Sequence, residues 1–119
     1  MLLIEDDHQL RRILHRQLEE RGYEVTSAYD GPDAQRVIGA GFEPHVLVTD
    51  LDLPGASGQE VASVLRLRQR EVKVLFISGR PDLLAQVTLR ADTAALDKPF
   101  TIGTLADTIE TLLQSGRPG

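Results

Sequence analysis

Five polar side chains in this sequence stand at or just beyond the ends of short apolar runs. Glu5 and Asp6 follow Leu2-Leu-Ile4, Asp50 follows Val46-Leu-Val-Thr49, Ser78 follows Val74-Leu-Phe-Ile77, and Lys98 follows Ala94-Ala-Leu-Asp97. Three carboxylates brought together repel one another unless a cation sits among them. The chain has no cysteine, and His8, His15 and His45 show no metal-ligand spacing. Hard oxygen ligands of this kind point to Mg²⁺ or a similar ion rather than zinc. Mg²⁺ held by one or two carboxylates keeps positions that phosphate oxygens can take. Lys98 adds a point positive charge and Ser78 a hydroxyl donor, both suited to holding a phosphoryl group. Carboxylate, Mg²⁺, lysine and hydroxyl together describe a site where Asp50 itself can become an acyl phosphate.

These groups are far apart in sequence, so the fold must bring them together. Val46 to Thr49 is apolar or β-branched without alternation, as in a strand buried on both faces of a parallel sheet. It ends at Asp50 and breaks into a loop holding Pro54, Gly55 and Gly58. Leu2 to Ile4, Lys73 to Ser78 and Ala94 to Asp97 read as further buried strands, and residues 24–28 as a weaker one resting on Val25 and Thr26. Between them runs helical spacing. Leu10, Ile13, Leu14 and Leu18 share a face over residues 8–21, with Gly22 as a stop. Ala34, Val37 and Ile38 line a second helix entered at Asp30-Gly-Pro32. Val61, Val64 and Leu65 line a third over 59–69, and Leu83, Leu84 and Val87 a fourth from Pro81 to about Arg90. Thr101 caps a fifth carrying Leu105, Ile109, Leu112 and Leu113. Strand–helix alternation five times over predicts an α/β fold with a parallel five-stranded sheet covered on both faces and right-handed crossovers. In such a sheet all carboxyl ends lie along one edge, where ligands bind.

At 119 residues the chain is one domain, expected over 1–114 with a linker-like tail at 115–119. With 41% hydrophobic and 26% charged residues it belongs with soluble globular chains. Without cysteine, thiol catalysis, disulfides and Cys-ligated zinc are excluded. A net charge of −5 and five aromatics speak against a basic or stacking face for nucleic acid. No apolar run approaches the roughly 20 residues of a membrane span, and no signal segment opens the chain, so a cytoplasmic location without membrane contact is expected. The first strand begins almost at Met1, which points to trimmed native residues or an introduced start.

Glu5-Asp6, Asp50-Leu-Asp-Leu-Pro-Gly-Ala-Ser-Gly58, Ser78-Gly79 and Lys98-Pro99, in this order and each at a strand end, resemble the receiver domain of two-component response regulators over essentially the whole chain. The resemblance implies a flavodoxin-like doubly wound sheet of order 2-1-3-4-5, an order known for a chemotaxis receiver. It implies Asp50 as phosphoacceptor, Asp6 as a direct Mg²⁺ ligand, Glu5 as a ligand through water, and the Asp52 backbone carbonyl as a further ligand. Lys98 would pair with the phosphoryl group, Ser78 would swing in to hydrogen-bond it, and Gly79 would keep the backbone small beside it. Asp7 falls outside this set. The donor would be a phosphohistidine on a histidine kinase or histidine phosphotransfer domain, docking near the first helix. Activity would be limited to self-catalysed phosphotransfer and autodephosphorylation, so the domain is expected to signal or relay rather than to act as an enzyme.

The resemblance also implies a cis Lys98–Pro99 bond, with Lys98 turned back over the strand ends. Two positions stand out. Where the family usually carries an aromatic or histidine three residues before the lysine, this chain has Ala95, so weaker coupling to the face of the last helix is expected. Asp52 and Arg80 flank the site with opposite charges and are expected to face each other across its mouth. Two other readings compete: a receiver-like module that only binds partners, and an aspartyl-phosphate phosphohydrolase using Asp50 and Asp52. The first usually loses the acidic pair, the acceptor or the lysine, all present here. The second needs its motif on the first strand, whereas Asp50 ends the third. The chain is expected to be either a stand-alone response regulator or a receiver cut from a hybrid sensor kinase or a longer regulator; the short tail and abrupt start lean toward the second, and fusion to a kinase or output domain stays open.

Overall fold

The structure, a computed structural model, describes residues 1–115. The chain runs β1 (Leu2–Ile4), α1 (His8–Glu20), β2 (Thr26–Ala28), α2 (Gly31–Gly39), β3 (Val46–Asp50), α3 (Gly58–Arg68), β4 (Lys73–Ser78), α4 (Pro81–Leu84), β5 (Thr93–Asp97) and α5 (Ile102–Gln114). All strand pairs are parallel, in the order β2-β1-β3-β4-β5. This is the flavodoxin-like α/β arrangement expected from the sequence. From residue 116 on, the expected tail lies outside the described residues. No helix among the described residues is long and apolar enough to cross a membrane.

Side-chain alternation along the strands divides the interior into two layers. Leu2, Ile4, Leu47, Val74 and Phe76 face α2 and α3, where Ala34, Ile38, Val61, Ala62 and Leu65 meet them. Leu3, Val46, Val48, Leu75 and Ile77 face α1 and α5, where Leu14, Leu18, Leu105, Ile109 and Leu112 meet them. Burying one such Leu or Ile is worth about 1.5–3 kcal/mol, so β1, β3 and β4, apolar on both faces, hold the sheet together.

Each long helix begins at a side-chain cap. Asp7 accepts from the Leu10 N–H at 3.1 Å, Asp30 from Asp33 at 2.7 Å, Ser57 from Glu60 at 3.1 Å, and Thr101 from Thr104 at 3.0 Å. Gly22, with φ +96°, turns the chain out of α1 as expected.

Three expectations are corrected. Ile13 is 52% exposed, and Val64 is 37% exposed. At about 100° per residue, Leu10, Leu14 and Leu18 already centre the stripe on α1, and Ile13 falls well to one side of it. On α3 the buried face runs over Gly58, Val61, Ala62 and Leu65, and Val64 falls well to one side of it. The fourth helix stops at Leu84 rather than near Arg90. Beyond it the N–H groups of Gln86 and Val87 reach back only three residues, to Leu83 and Leu84. That tightens the last turn and ends the helix. Arg90 then bridges to Thr93 so that β5 enters in register with β4.

Candidate functional site

The strand register explains how distant polar residues meet. Ile4 lies beside Thr49, so Glu5 and Asp50 leave the sheet as neighbours. Asp50 lies beside Ile77, and Ser78 beside Asp97. Lys98 therefore emerges next to the β4 end, its N–H bonded to the Ser78 carbonyl at 2.9 Å. The Lys98–Pro99 bond is cis, as the resemblance implies.

The structure brings Glu5, Asp6, Asp50 and Lys98 together. The Lys98 Nζ donates to Asp50 Oδ2 at 2.7 Å and to Glu5 Oε2 and Oε1 at 2.9 and 3.2 Å. Glu5 is fully buried and Asp50 nearly so, while Asp6 is exposed. One carboxylate oxygen from each lies within 4.8 Å of the others. The second Asp50 oxygen accepts from the Asp52 N–H at 3.1 Å, and Glu5 Oε1 accepts from the Asp7 N–H at 3.2 Å.

Ser78 and Asp52 stand at the margin of this cluster. The Ser78 hydroxyl is buried, accepts from the Arg80 N–H at 2.9 Å and donates to the Arg80 carbonyl at 3.5 Å, so it is turned to the backbone rather than to Asp50 or Lys98. The Asp52 side chain is exposed and faces Arg80 at 3.6 Å, across the mouth as expected. Arg80 also holds Asp82 at 3.0 Å, and this bond keeps the Asp82 carboxyl below its usual range. Ala95 is half-buried on β5 beside Phe76. Asp7 caps α1, in line with its place outside the set.

Two contributors carried no cue in the sequence. The Arg11 guanidinium donates to the Glu5 carbonyl at 2.8 Å, yet nothing in the sequence separates it from Arg12. Gly58 packs against the strand end so closely that a Cβ there would overlap the Asp50 carbonyl oxygen. The glycines of this loop mark a turn but do not say which one the backbone crowds.

Burial pushes the Glu5 carboxyl up to about 7. The Lys98 hydrogen bonds pull it back down, and the Asp50 charge adds to the rise. Burial alone would lower Lys98, but its bonds to Asp50 and Glu5 hold it above the ordinary lysine value. The cluster thus carries more negative charge than one lysine neutralises. An all-oxygen donor set with surplus negative charge suits Mg²⁺.

This makes a pH prediction for metal-free protein. Between the ordinary value of 4.5 and about 7 the folded chain holds the Glu5 proton and the unfolded chain does not. Stability from this group is therefore complete below that window and lost as pH rises through it. Thermal midpoints in chelator should fall less for Glu5→Gln than for wild type from about pH 5 to about pH 8. Parallel curves would show that Glu5 does not titrate there.

A profile of the family described as "Response regulator receiver domain" matches residues 1–110. Response regulator MprA of Mycobacterium avium is 32% identical over 99% of this chain and 52% of its own length. Sensor kinase CckA of Brucella abortus is 32% identical over 96% of this chain and 12% of its own length. The chain thus spans about half of the first relative and a small part of the second. The crystal structure of response regulator TrrA from Thermotoga maritima in complex with Mg²⁺-BeF is 25% identical, with a TM-score of 0.81, covering 93% of this chain and 96% of that one. With this sheet order, this run of polar strand ends and a family match over nearly its whole length, the chain belongs to the response regulator receiver domain family.

Proposed function

We propose that this receiver domain, residues 1–114 with a linker at 115–119, takes a phosphoryl group onto Asp50 and signals or relays it. The observation that carries this reading is the Asp50 carboxylate, buried, 2.7 Å from the Lys98 ammonium and grouped with Glu5 and Asp6. The donor is a phosphohistidine on a histidine kinase or histidine phosphotransfer domain. An Asp50 oxygen attacks phosphorus, the P–N bond breaks, and the imidazole nitrogen keeps the electron pair. Lys98 moves its charge from the carboxylates to the phosphoryl oxygens. Ser78 exchanges the Arg80 backbone for a phosphoryl oxygen. Asp6 and Asp50 would hold Mg²⁺ directly, Glu5 through water and the Asp52 carbonyl as a further ligand, and the ion would supply positive charge against the phosphoryl oxygens. Attack by water on the same phosphorus later releases phosphate and restores the carboxylate.

The names of the relatives support two settings, a longer response regulator or a sensor kinase carrying the receiver. Ala95, with no ring to bury, favours a domain that passes the phosphoryl group on or regulates an attached kinase. The acidic net charge supports a domain that touches neither nucleic acid nor membrane, working in the cytoplasm.

Incubation with acetyl phosphate and Mg²⁺, read by intact-mass spectrometry, tests the reading. One added phosphoryl group, absent when chelator replaces Mg²⁺, is expected. Steady turnover of substrate would instead indicate a phosphohydrolase, and no uptake a binding module.

Arg80 reaches across the mouth to Asp52 and back to Asp82, all three exposed. Exposed pairs of this kind add little to stability, so the effect of this one is steric, covering the path of the attacking water. Arg80→Ala should therefore shorten the lifetime of the phosphorylated form several-fold in a chase after donor removal. An equal or longer lifetime rejects the shielding role.

A further inference from the structure

We propose that Arg11 is a positioning residue for the Mg²⁺ ligands, acting on them through the Glu5 main chain. This rests on the reading of Glu5, Asp6 and Asp50 as the metal site. The three residues between β1 and α1 must send Glu5 inward and Asp6 outward within one turn of chain. The Glu5 N–H is held by the Ala28 carbonyl at 3.2 Å, so the peptide that leads into Glu5 still belongs to the sheet. The Glu5 carbonyl has left the ladder and accepts the Arg11 Nη1 at 2.8 Å. This carbonyl is part of the peptide that leads into Asp6, so its direction sets where the Asp6 carboxylate can go.

Arg11 is placed to do this from α1. Its own N–H opens the helix ladder on the Asp7 carbonyl at 2.9 Å, and its side chain folds back over the turn it has just left. The other guanidinium nitrogen, Nη2, lies 2.6 Å from His8 Nδ1. A planar fork held at two points is a better clamp than a single amine. Arg11 is half-buried, whereas the adjacent Arg12 is exposed on the same helix.

Charge and position predict opposite results, which makes the proposal testable. A cation beside a Mg²⁺ site repels the ion, so removing it for charge alone would tighten binding. Removing a clamp loosens binding, by roughly 10-fold for a partner that orients metal ligands. Isothermal titration of the whole metal-free chain with MgCl₂ separates the two, using wild type, Arg11→Ala, Arg11→Lys and Arg12→Ala. Expected are affinity about 10-fold weaker in Arg11→Ala and equal or tighter in Arg12→Ala. Arg11→Lys, the fallback should the alanine variant not fold, keeps the charge, loses the fork and should also bind more weakly than wild type. Arg11→Ala binding as tightly as wild type or tighter overturns the proposal, as does full affinity in Arg11→Lys. An equal loss in Arg12→Ala also overturns it, by showing that any truncation on this part of α1 loosens the site. Absence of binding by wild type would fell the Mg²⁺ reading itself and the proposal with it.

Discussion

Asp50→Asn is expected to abolish phosphoryl uptake while leaving the fold intact. The amide is close to the carboxylate in size, and its oxygen can keep the Lys98 bond now made at 2.7 Å. It has no anionic oxygen to attack phosphorus, so the covalent step has no nucleophile. The neighbouring carboxylates do not replace it: Glu5 is buried against Lys98 and Asp6 lies outside. Asp52→Asn should label like wild type, because the Asp52 side chain turns away to Arg80 and only its backbone N–H meets Asp50. Intact-mass spectrometry after treatment with acetyl phosphate and Mg²⁺ reads both. Persistent labelling of Asp50→Asn, or equal loss in Asp52→Asn, would move the acceptor elsewhere.

Lys98→Ala should give the largest stability loss, and Mg²⁺ should reverse part of it. The ammonium touches three carboxylate oxygens on two buried residues. Removing one partner of a buried ion pair typically costs about 3–5 kcal/mol, because the remaining charge stays buried. Here a proton on Glu5 offsets some of that at neutral pH, so the loss should grow toward alkaline conditions. Adding Glu5→Gln to Lys98→Ala removes one of the stranded charges and should restore stability without metal. Urea unfolding in chelator and in Mg²⁺ measures each case. A loss that is the same in both solutions and unrelieved by Glu5→Gln would mean Lys98 acts through packing rather than charge.

Much of this domain is legible locally. The buried strands show as unbroken β-branched and aliphatic runs, and two helix starts show as Asp30-Gly-Pro32 and Thr101. The candidate site is legible in Glu5, Asp6, Asp50 and Lys98, which the fold groups, because a polar group closing a buried run has few structural reasons to be there. Strand propensity and capping depend on neighbours a few residues away, so a linear reading reaches them. Such a reading also lays out sites along one edge once the sheet is known to be parallel.

What only the tertiary structure decided involves contacts between distant residues or a choice between near-equivalent ones. Lys98 spans Glu5 and Asp50 because register aligns the ends of β1, β3, β4 and β5 along one edge, and a residue 93 positions away leaves no local trace. Arg11 and not Arg12 grips the Glu5 carbonyl because one step along a helix turns a side chain by about 100°. The same rotation puts Ile13 and Val64 outside stripes that apolarity alone includes them in. The fourth helix ends at Leu84 although its spacing continues, because the chain must reach β5 at Thr93 in register. In each case local propensity was satisfied by more than one arrangement, and packing across the sheet chose among them.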